Sequence, residues 1–314
     1  MYVHLHWHST FSFLEAIGKP NKISAKAKKL WQEAIAITDY NGMYGAIKFI
    51  GAAKDDDIKP ILGVELGFVL DINTIVQPDQ IWSVVLIAIS DIGYANLMEL
   101  ISYANTIGIK WKPKIDLATL EKYWEGLIIF FGWVRSWINK MLMRDEKPEK
   151  IYEMVWMMQN VIGKENLYLE IVAQDHSLSK DIAQINQFVL QMADHLNIPC
   201  IVNTDYHYID ASDKLPREAA LCIKDGKKMY DQDRRQSSGQ YHIMSEDEIR
   251  SILSQNAYDL DLINTWISNN VAIADRVHVK VKLWQTLFPN YDTPQDIRQL
   301  YDTNKDQLIV ADTN

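Results

Sequence analysis

Ala34-Ile-Ala-Ile-Thr-Asp-Tyr-Asn-Gly42 is the stretch whose pattern decides the fold. Its apolar, β-branched start predicts a buried strand, and the polar run from Asp39 to Gly42 predicts a loop at the carboxyl end of that strand. The residues before it, Ile23 to Glu33, carry an apolar stripe at helical spacing. Because Met1–Ser12 also reads as a strand, the first 42 residues predict a strand–helix–strand unit.

The same alternation continues outward from this unit. Helix-like stretches separate further short apolar runs, and six or seven strands in all alternate with helices of usable length. The further runs lie at residues 59–70, 83–89, 127–131, 167–171 and 199–203. Alternation of this kind predicts an α/β protein built from parallel βα units, and its closed form is a TIM-like barrel with functional groups at the carboxyl ends of the strands.

The pattern becomes helical from about residue 245. Residues 246–254 and 258–275 both read as helices, and a polar helix follows a proline-containing loop near the end of the chain. We therefore expect two parts: a barrel domain over residues 1–245 and a helical appendage over residues 246–314.

Composition excludes some classes of protein. The 314 residues carry a formal net charge of -9, which argues against a binder whose affinity for nucleic acid comes from a broadly basic surface, although local basic patches remain possible. Cys200 and Cys222 lie in apolar runs and predict buried free thiols. No leader and no apolar run of about 20 residues is apparent. These features predict a cytoplasmic protein without a membrane partner.

Three of the eight histidines lie at alternating positions near the start of the chain, at His4, His6 and His8. Side chains two residues apart share one face of a strand, and a row of imidazoles on one face suits a divalent metal better than a packed core. A surface strand with a chance cluster, or an accidental tag, is the alternative explanation.

Other residue types that bind metals follow the predicted strands. A single Asp or Glu after a strand is more often a turn former or a helix cap than a ligand. Seven such residues from five strands together predict a cluster of two or three divalent ions, with zinc, manganese or iron as candidates. The predicted ligands are His6, His8, Asp39, Glu65, His176, Asp205 and His207.

Four segments carry a family resemblance. They are His4-Leu-His-Trp-His-Ser-Thr-Phe-Ser12, Ala36-Ile-Thr-Asp-Tyr-Asn-Gly-Met-Tyr-Gly-Ala-Ile-Lys-Phe49, Ile58-Lys-Pro-Ile-Leu-Gly-Val-Glu65 and Asn203-Thr-Asp-Tyr-His-Tyr208. In order and spacing they resemble the motifs of the PHP (polymerase and histidinol phosphatase) family. The form they most resemble is the domain at the amino terminus of bacterial DNA polymerase III alpha subunits.

The resemblance implies a distorted (β/α)7 barrel that holds up to three metals and hydrolyses phosphoesters. Carried over position by position, it makes the seven residues above the metal ligands, with Glu65 bridging two ions and His4 just outside the site. It implies no catalytic group beyond the metal site. Arg135 and Arg217 are candidate phosphate contacts, with solvated helix charges as the alternative.

Two positions depart from the family pattern. Tyr40 stands where metal-binding members have a histidine after Thr-Asp, and Phe131-Gly-Trp133 stands where many carry a histidine or cysteine. A phenol ionises near pH 10 and is a poor ligand for zinc or manganese. We therefore expect fewer than three ions, with one or two retained.

The resemblance suggests a role in DNA replication as a phosphoesterase or a 3'-5' exonuclease-like enzyme, acting on DNA or another phosphoester. The resemblance places the paired catalytic aspartates of the polymerase palm beyond this chain, and the Asp259-Leu-Asp261 pair reads as a helix surface. We therefore expect no polymerase active site in this chain. A non-catalytic module that supports a polymerase core or another replisome protein is the alternative function.

Overall fold

A seven-stranded sheet forms the centre of the protein. The computed structural model describes residues 1–74, 77, 80–133, 136, 147–236, 239–282 and 294–304. Within them the strands are β1 (Ala34–Ile37), β2 (Lys59–Val69), β3 (Trp82–Ala88), β4 (Lys114–Asp116), β5 (Leu127–Phe131), β6 (Leu167–Val172) and β7 (Cys200–Asn203). Most side chains of these strands are buried on both faces, as in sheets that helices cover.

Ten α-helices are described. The first five are α1 (Pro20–Lys29), α2 (Ala46–Asp56), α3 (Asp91–Thr106), α4 (Leu117–Tyr123) and α5 (Pro148–Ile162). The others are α6 (Lys180–Leu196), α7 (Lys214–Asp225), α8 (Glu246–Gln255), α9 (Leu260–Arg276) and α10 (Gln295–Asn304). Apart from β2 and β3, which follow each other directly among the described elements, helices alternate with strands as far as β7, which confirms the predicted α/β class.

Strand direction differs from the prediction in one place. The sheet order is β1-β2-β3-β5-β6-β7, with β4 paired to β2, and all pairs are parallel except those of β3, which runs antiparallel to both β2 and β5. No helix is described between β2 and β3, and a parallel crossover normally needs one. The expectation of exclusively parallel βα units was therefore wrong for β3.

The first residues close the sheet without forming a regular strand. Isolated parallel bridges join His4 to Ile35 in β1 and Trp7 to Tyr206 just after β7. The backbone N–H of His8 donates to the Tyr206 carbonyl at 2.9 Å. The amino-terminal segment thus lies between the two end strands and completes a distorted barrel, although the predicted continuous strand over residues 1–12 is reduced to these bridges.

Helices α8 and α9 belong to the main body, contrary to the expectation of an appendage beginning at residue 246. The first compact unit spans Met1–Lys280, and the second spans Val281–Asn314. Asn270 of α9 is fully buried, and its amide donates to the carbonyls of Val3 (2.9 Å) and Val202 (2.8 Å). Residues 246–280 therefore complete the core. For residues 281–314 the assignment to an appendage stays a prediction.

Two further expectations concern thiols and membranes. Cys200 and Cys222 are both free and buried, as predicted, and burial raises the pKa of the Cys200 thiol to about 12. Among the described residues, no helix combines the length and the apolar character needed to cross a membrane.

Candidate metal centre

Four side chains from three separate segments converge inside the barrel. His6 and His8 come from the amino-terminal segment, Glu65 from the middle of β2, and Asp205 from the loop after β7. All four are buried, and one ligand atom of each lies within 4.8 Å of the other three. Glu65 lies within β2, which continues to Val69, and it pairs with Tyr40 in the loop beyond β1.

The donor atoms of these four residues are spaced as ligands of one ion. His6 Nε2 and His8 Nε2 lie 3.3 Å apart, and each lies 3.2 Å from Glu65 Oε2. Asp205 Oδ1 lies 3.1 Å from His8 Nε2 and 3.6 Å from His6 Nε2. Ligand atoms around a tetrahedral zinc with bonds of 2.0–2.1 Å are about 3.3–3.4 Å apart. The five separations above, 3.1–3.6 Å, lie around this value and therefore fit a single ion.

Asp205 Oδ1 supports this fit. It is buried and has no hydrogen bond of good geometry among the described residues, although the imidazoles of His8 and His6 lie 3.1 Å and 3.6 Å away. A buried carboxylate oxygen whose hydrogen bonding is incomplete is costly, and a metal ion is one of the partners that removes the cost. The site therefore fits the divalent ion that two imidazoles and two carboxylates would bind.

Glu170 orients His6 and was not identified from the sequence. This carboxylate in β6 is fully buried, and both of its oxygens lie 3.1 Å from His6 Nδ1. A proton on Nδ1 leaves the lone pair of Nε2 facing the cluster, which is the arrangement that metal-binding histidines use. The available signal was a charged residue in an otherwise apolar strand, Leu167-Tyr-Leu-Glu-Ile171.

Asp39 orients His8 through Ser12, and the structure does not bring its carboxylate into the four-residue cluster. Ser12 Oγ donates to Asp39 Oδ1 at 2.7 Å, so it accepts at its 3.3 Å contact with His8 Nδ1. His8 Nδ1 therefore carries a proton, and Nε2 is the ring nitrogen left to bind an ion. The second Asp39 oxygen accepts from the Ser9 hydroxyl at 2.7 Å.

His207 lies beside the cluster but outside it. Its Nδ1 donates to the Asp205 carbonyl at 2.6 Å, and its Nε2 accepts from the Tyr40 hydroxyl at 3.1 Å. The Tyr40 ring also stacks on His8, with centroids 4.0 Å apart. Both ring nitrogens of His207 thus have protein partners, and Tyr40 supplies one of them.

The structure places His176 and Arg217 apart from the cluster. His176 lies near α6 and α9, where its Nε2 contacts Asn186 Nδ2 at 3.3 Å and its ring packs edge-on against Tyr258. Arg217 is buried, donates to the Glu15 carbonyl at 3.1 Å and lies over the Tyr241 ring, so it is not the solvated helix charge that was the alternative. Arg135 lies outside the described residues.

Aromatic side chains form an apolar wall behind His6. Trp133 is buried, and its ring packs edge-on against His6 with centroids 4.6 Å apart, while Phe130 lies 5.9 Å away. Trp133 thus fills space beside the centre and brings no metal ligand. His4, expected just outside the site, is not one of the four cluster residues. It contacts the Met244 carbonyl at 3.0 Å and Gln32 Nε2 at 2.9 Å.

The ionisation of the cluster reflects its paired charges. Burial alone would lower the pKa of His6 and His8, but the surrounding carboxylates outweigh burial and raise the pKa of both imidazoles. Burial likewise opposes ionisation of Glu65, yet hydrogen bonds from the two histidines lower its pKa to about 2. The carboxylates thus hold negative charge and attract cations, and an ion that binds here displaces protons from the imidazoles.

The fold and the cluster together are those of an α/β barrel with a buried candidate metal site. Residues 4–174, more than half of the chain, match the family described as PHP domain. The chain therefore belongs to the PHP domain family.

Curated relatives extend the similarity beyond the family match. The DNA polymerase III subunit alpha of Borreliella burgdorferi is 29% identical over 305 residues, which cover 95% of this chain and 26% of that protein. The corresponding subunit of Aquifex aeolicus is 30% identical over 255 residues, covering 78% of this chain and 21% of that protein. The chain thus spans about a quarter of the length of these relatives.

Solved structures include more distant matches. The histidinol phosphate phosphatase of Lactococcus lactis, solved with zinc, L-histidinol and phosphate, matches 72% of this chain and 94% of its own. The sequence identity is 14% and the TM-score is 0.35.

Proposed function

We propose that this chain is a metal-dependent phosphoester hydrolase that acts in DNA replication, with one divalent ion held by His6, His8, Glu65 and Asp205. The observation that supports this most directly is the set of donor-atom separations of 3.1–3.6 Å, measured between buried atoms of all four residues. Zinc, manganese and iron all accept this mixture of imidazole and carboxylate ligands.

A bound divalent ion would neutralise charge on a phosphoryl oxygen and lower the pKa of a water molecule, which is the chemistry that hydrolysis requires. Neighbouring side chains orient the histidines and exclude water. Glu170 and Ser12 keep the Nδ1 protons of His6 and His8 away from the centre, and the Trp133 wall excludes water from behind His6. Glu65 and Tyr40 line a cleft of about 680 Å³, through which a phosphoester reaches the centre.

The similarity to DNA polymerase III alpha subunits supports DNA as the substrate. A 3'-5' exonuclease-like reaction is the hydrolysis that we propose on it. Asp259 and Asp261 are not a polymerase centre: both are exposed, and the Asp259 side chain caps the first turn of α9 by accepting from the Asp261 N–H. The proposed reaction is therefore hydrolysis alone.

Metal content tests the proposal. Protein expressed with zinc, manganese and iron supplied should retain about one ion per chain, measured by mass spectrometry after gel filtration, and should cleave a labelled oligonucleotide. Asp205→Asn should lose the ion, whereas Asp194→Asn, at an exposed position on α6, should keep it. A wild-type protein that retains no ion and cleaves nothing with any of the three metals would refute the hydrolase.

A non-catalytic role is the second candidate. The Tyr40 hydroxyl occupies Nε2 of His207, a nitrogen that a second ion would otherwise need. This favours a barrel that retains part of a metal site while serving as a module for a polymerase core or another replisome protein. Recovery of a polymerase fragment in a pull-down, together with absent cleavage, would support this alternative over the hydrolase.

A further inference from the structure

Loop 107–114, defined as the connection between α3 and β4 together with Lys114 at the start of β4, is a basic and aromatic surface beside the metal centre. Lys110, Trp111 and Lys112 follow one another, and all three are exposed, with Trp111 60% exposed. Residues 100–115 contain no Asp or Glu in a chain whose net charge is -9. The loop is therefore a local cationic patch on an acidic protein, which favours an anionic occupant.

A buried lysine holds this loop in one conformation. The Lys114 ammonium donates to the Gly108 carbonyl at 3.1 Å and to the Lys110 carbonyl at 2.7 Å. These hydrogen bonds join the end of the loop to its first half. Among the described residues it forms no ion pair. Burial lowers the pKa of Lys114, which is the cost of using a lysine in this way.

The backbone of the loop is equally specialised. Trp111 has φ +71°, a left-handed conformation that bulky residues rarely adopt. Gly108 is required, since a Cβ there would lie 1.9 Å from the Lys114 carbonyl oxygen. A strained and clamped loop that exposes a tryptophan between two lysines is pre-organised for binding rather than for packing.

The loop meets the metal centre across β2. Lys114 pairs with Gly67, two residues beyond Glu65, and a Cβ on Gly67 would lie 2.4 Å from the Pro113 carbonyl oxygen. Lys112 and Pro113 line the same cleft as Glu65. Its volume of about 680 Å³ is within the range of about 300–1,000 Å³ that is usual for ligand sites.

The other groups that line the cleft indicate what it binds. Lys224 and Arg235 are both paired with Glu15, at 2.6 Å and 3.2 Å, whereas Lys112 makes no ion pair among the described residues. Aromatic side chains supply stacking surfaces; they are Phe11, Phe13, Tyr40 and Trp82. Aromatic faces interleaved with lysine are typical of sites that stack unpaired bases and hold the phosphates between them.

We infer that loop 107–114 and the adjoining cleft bind single-stranded nucleic acid, with Trp111 stacking on a base and with Lys110 and Lys112 holding backbone phosphates. The inference rests on the proposed function for the placement of the bound strand. If the metal centre hydrolyses the strand, a phosphodiester in the cleft lies against Glu65. A duplex is disfavoured, since its stacked bases cannot present a face to Trp111 or Phe13.

Fluorescence anisotropy with labelled oligothymidylate and oligouridylate tests this inference on the full chain, stripped of metal so that nothing is cleaved. Trp111→Ala should raise the dissociation constant by about 5- to 100-fold, the usual effect of losing one stacked base. Lys110→Ala with Lys112→Ala should lower the slope of log affinity against log salt by about 1.4. Tighter binding of either oligonucleotide identifies DNA or RNA as the ligand.

The chain offers a matched control. Trp31 is 90% exposed, has φ +57° and follows exposed Lys28 and Lys29, but it lies just after α1. None of residues 28–31 lines the cleft, whereas Lys112 and Pro113 of loop 107–114 do. Trp31→Ala and Lys28→Ala with Lys29→Ala should bind like wild type.

Three results would overturn the inference: no binding by wild type, equal losses in the control variants, or equal competition by a duplex of the same length. Metal content reports separately on the proposed hydrolase. A protein that binds oligonucleotide but retains no ion refutes the hydrolase and leaves this inference standing.

Discussion

Glu170 shows how one buried side chain determines the chemistry of its neighbour. Its carboxylate accepts a hydrogen bond from His6 Nδ1, and the other ring nitrogen of His6 therefore faces Glu65 and Asp205. Burial raises the pKa of Glu170, whereas the neighbouring His6 lowers the pKa of Glu170. Burial has the stronger effect. The pairing with His6 explains why a carboxylate is tolerated inside an apolar strand.

Replacing Glu170 by Gln should weaken metal binding without unfolding the protein. Glutamine keeps the shape and can still accept from His6 Nδ1, but it lacks the charge that raises the basicity of the ring. We expect the affinity for zinc to fall by about 10- to 100-fold, measured by competition with a chelator. Glu165→Gln, at an exposed position, serves as the control. An unchanged affinity in Glu170→Gln would contradict this role.

The roles of Tyr40 and Asp39 could be assigned only from the structure. From the sequence, Asp39 was a candidate ligand and Tyr40 a lost one. In the structure, Asp39 holds Ser12 and Ser9, and Tyr40 joins His8 to His207. A residue type identifies what a side chain can bind, but only its position decides whether it contacts the ion or orients a neighbour that does.

At the scale of elements, most strands and helices lie where the hydrophobic pattern placed them. The β1 and β2 runs were predicted within two residues of their ends. The missed elements are β4, with three residues, and the helices α4 and α7. A three-residue strand forms because it pairs with Gly67 and its neighbours in β2, which are distant in sequence, and such pairing leaves no local periodicity.

Helix α9 provides a test of how the barrel is completed. Asn270 binds Val3 and Val202, so it joins the amino-terminal segment to β7. Asn270→Ala should lower the free energy of unfolding by about 2–4 kcal/mol, because buried backbone groups lose their partners. Urea denaturation measures this.

Ser268→Ala is the control for this prediction, since Ser268 is exposed on the same helix. It should change stability by less than about 0.5 kcal/mol. Equal stability of Asn270→Ala and wild type would mean that α9 is the appendage expected from the sequence.

At the scale of the whole molecule, the candidate ligands come from parts of the chain that are far apart in sequence. His6 and Asp205 are separated by almost 200 residues, and Glu65 lies between them on β2. An ion bound to all of them would stabilise the folded state alone, since the unfolded chain does not bring them together.

Metal removal should therefore lower thermal stability. At an ion concentration of about 100 times the dissociation constant, binding contributes about 2.7 kcal/mol. We expect the melting temperature of the wild type to fall after treatment with a chelator and to recover when zinc is restored. Differential scanning calorimetry checks this, with Asp205→Asn as the control that zinc should not stabilise. Equal stabilisation of that variant would place the bound ion elsewhere.

Average composition also hides local features at this scale. The net charge of -9 argued against a broadly basic binding surface. The arrangement of residues 107–114 nevertheless concentrates exposed lysine and tryptophan beside the cleft. A sum over the chain does not describe such a patch, because electrostatic attraction depends on the charges within about 10 Å of the ligand.

The sequence by itself determined the α/β class, the family and most of the buried strands, because hydrophobic periodicity and motif spacing are local properties of the chain. Only the tertiary structure decided that β3 runs antiparallel, that α8 and α9 complete the core, and that four of the seven candidate ligands meet while His176 lies apart. These outcomes depend on contacts between residues distant in sequence, such as His6 with Glu170 and Tyr40 with His207. No local pattern specifies those contacts, and they decide which side chains can share one ion.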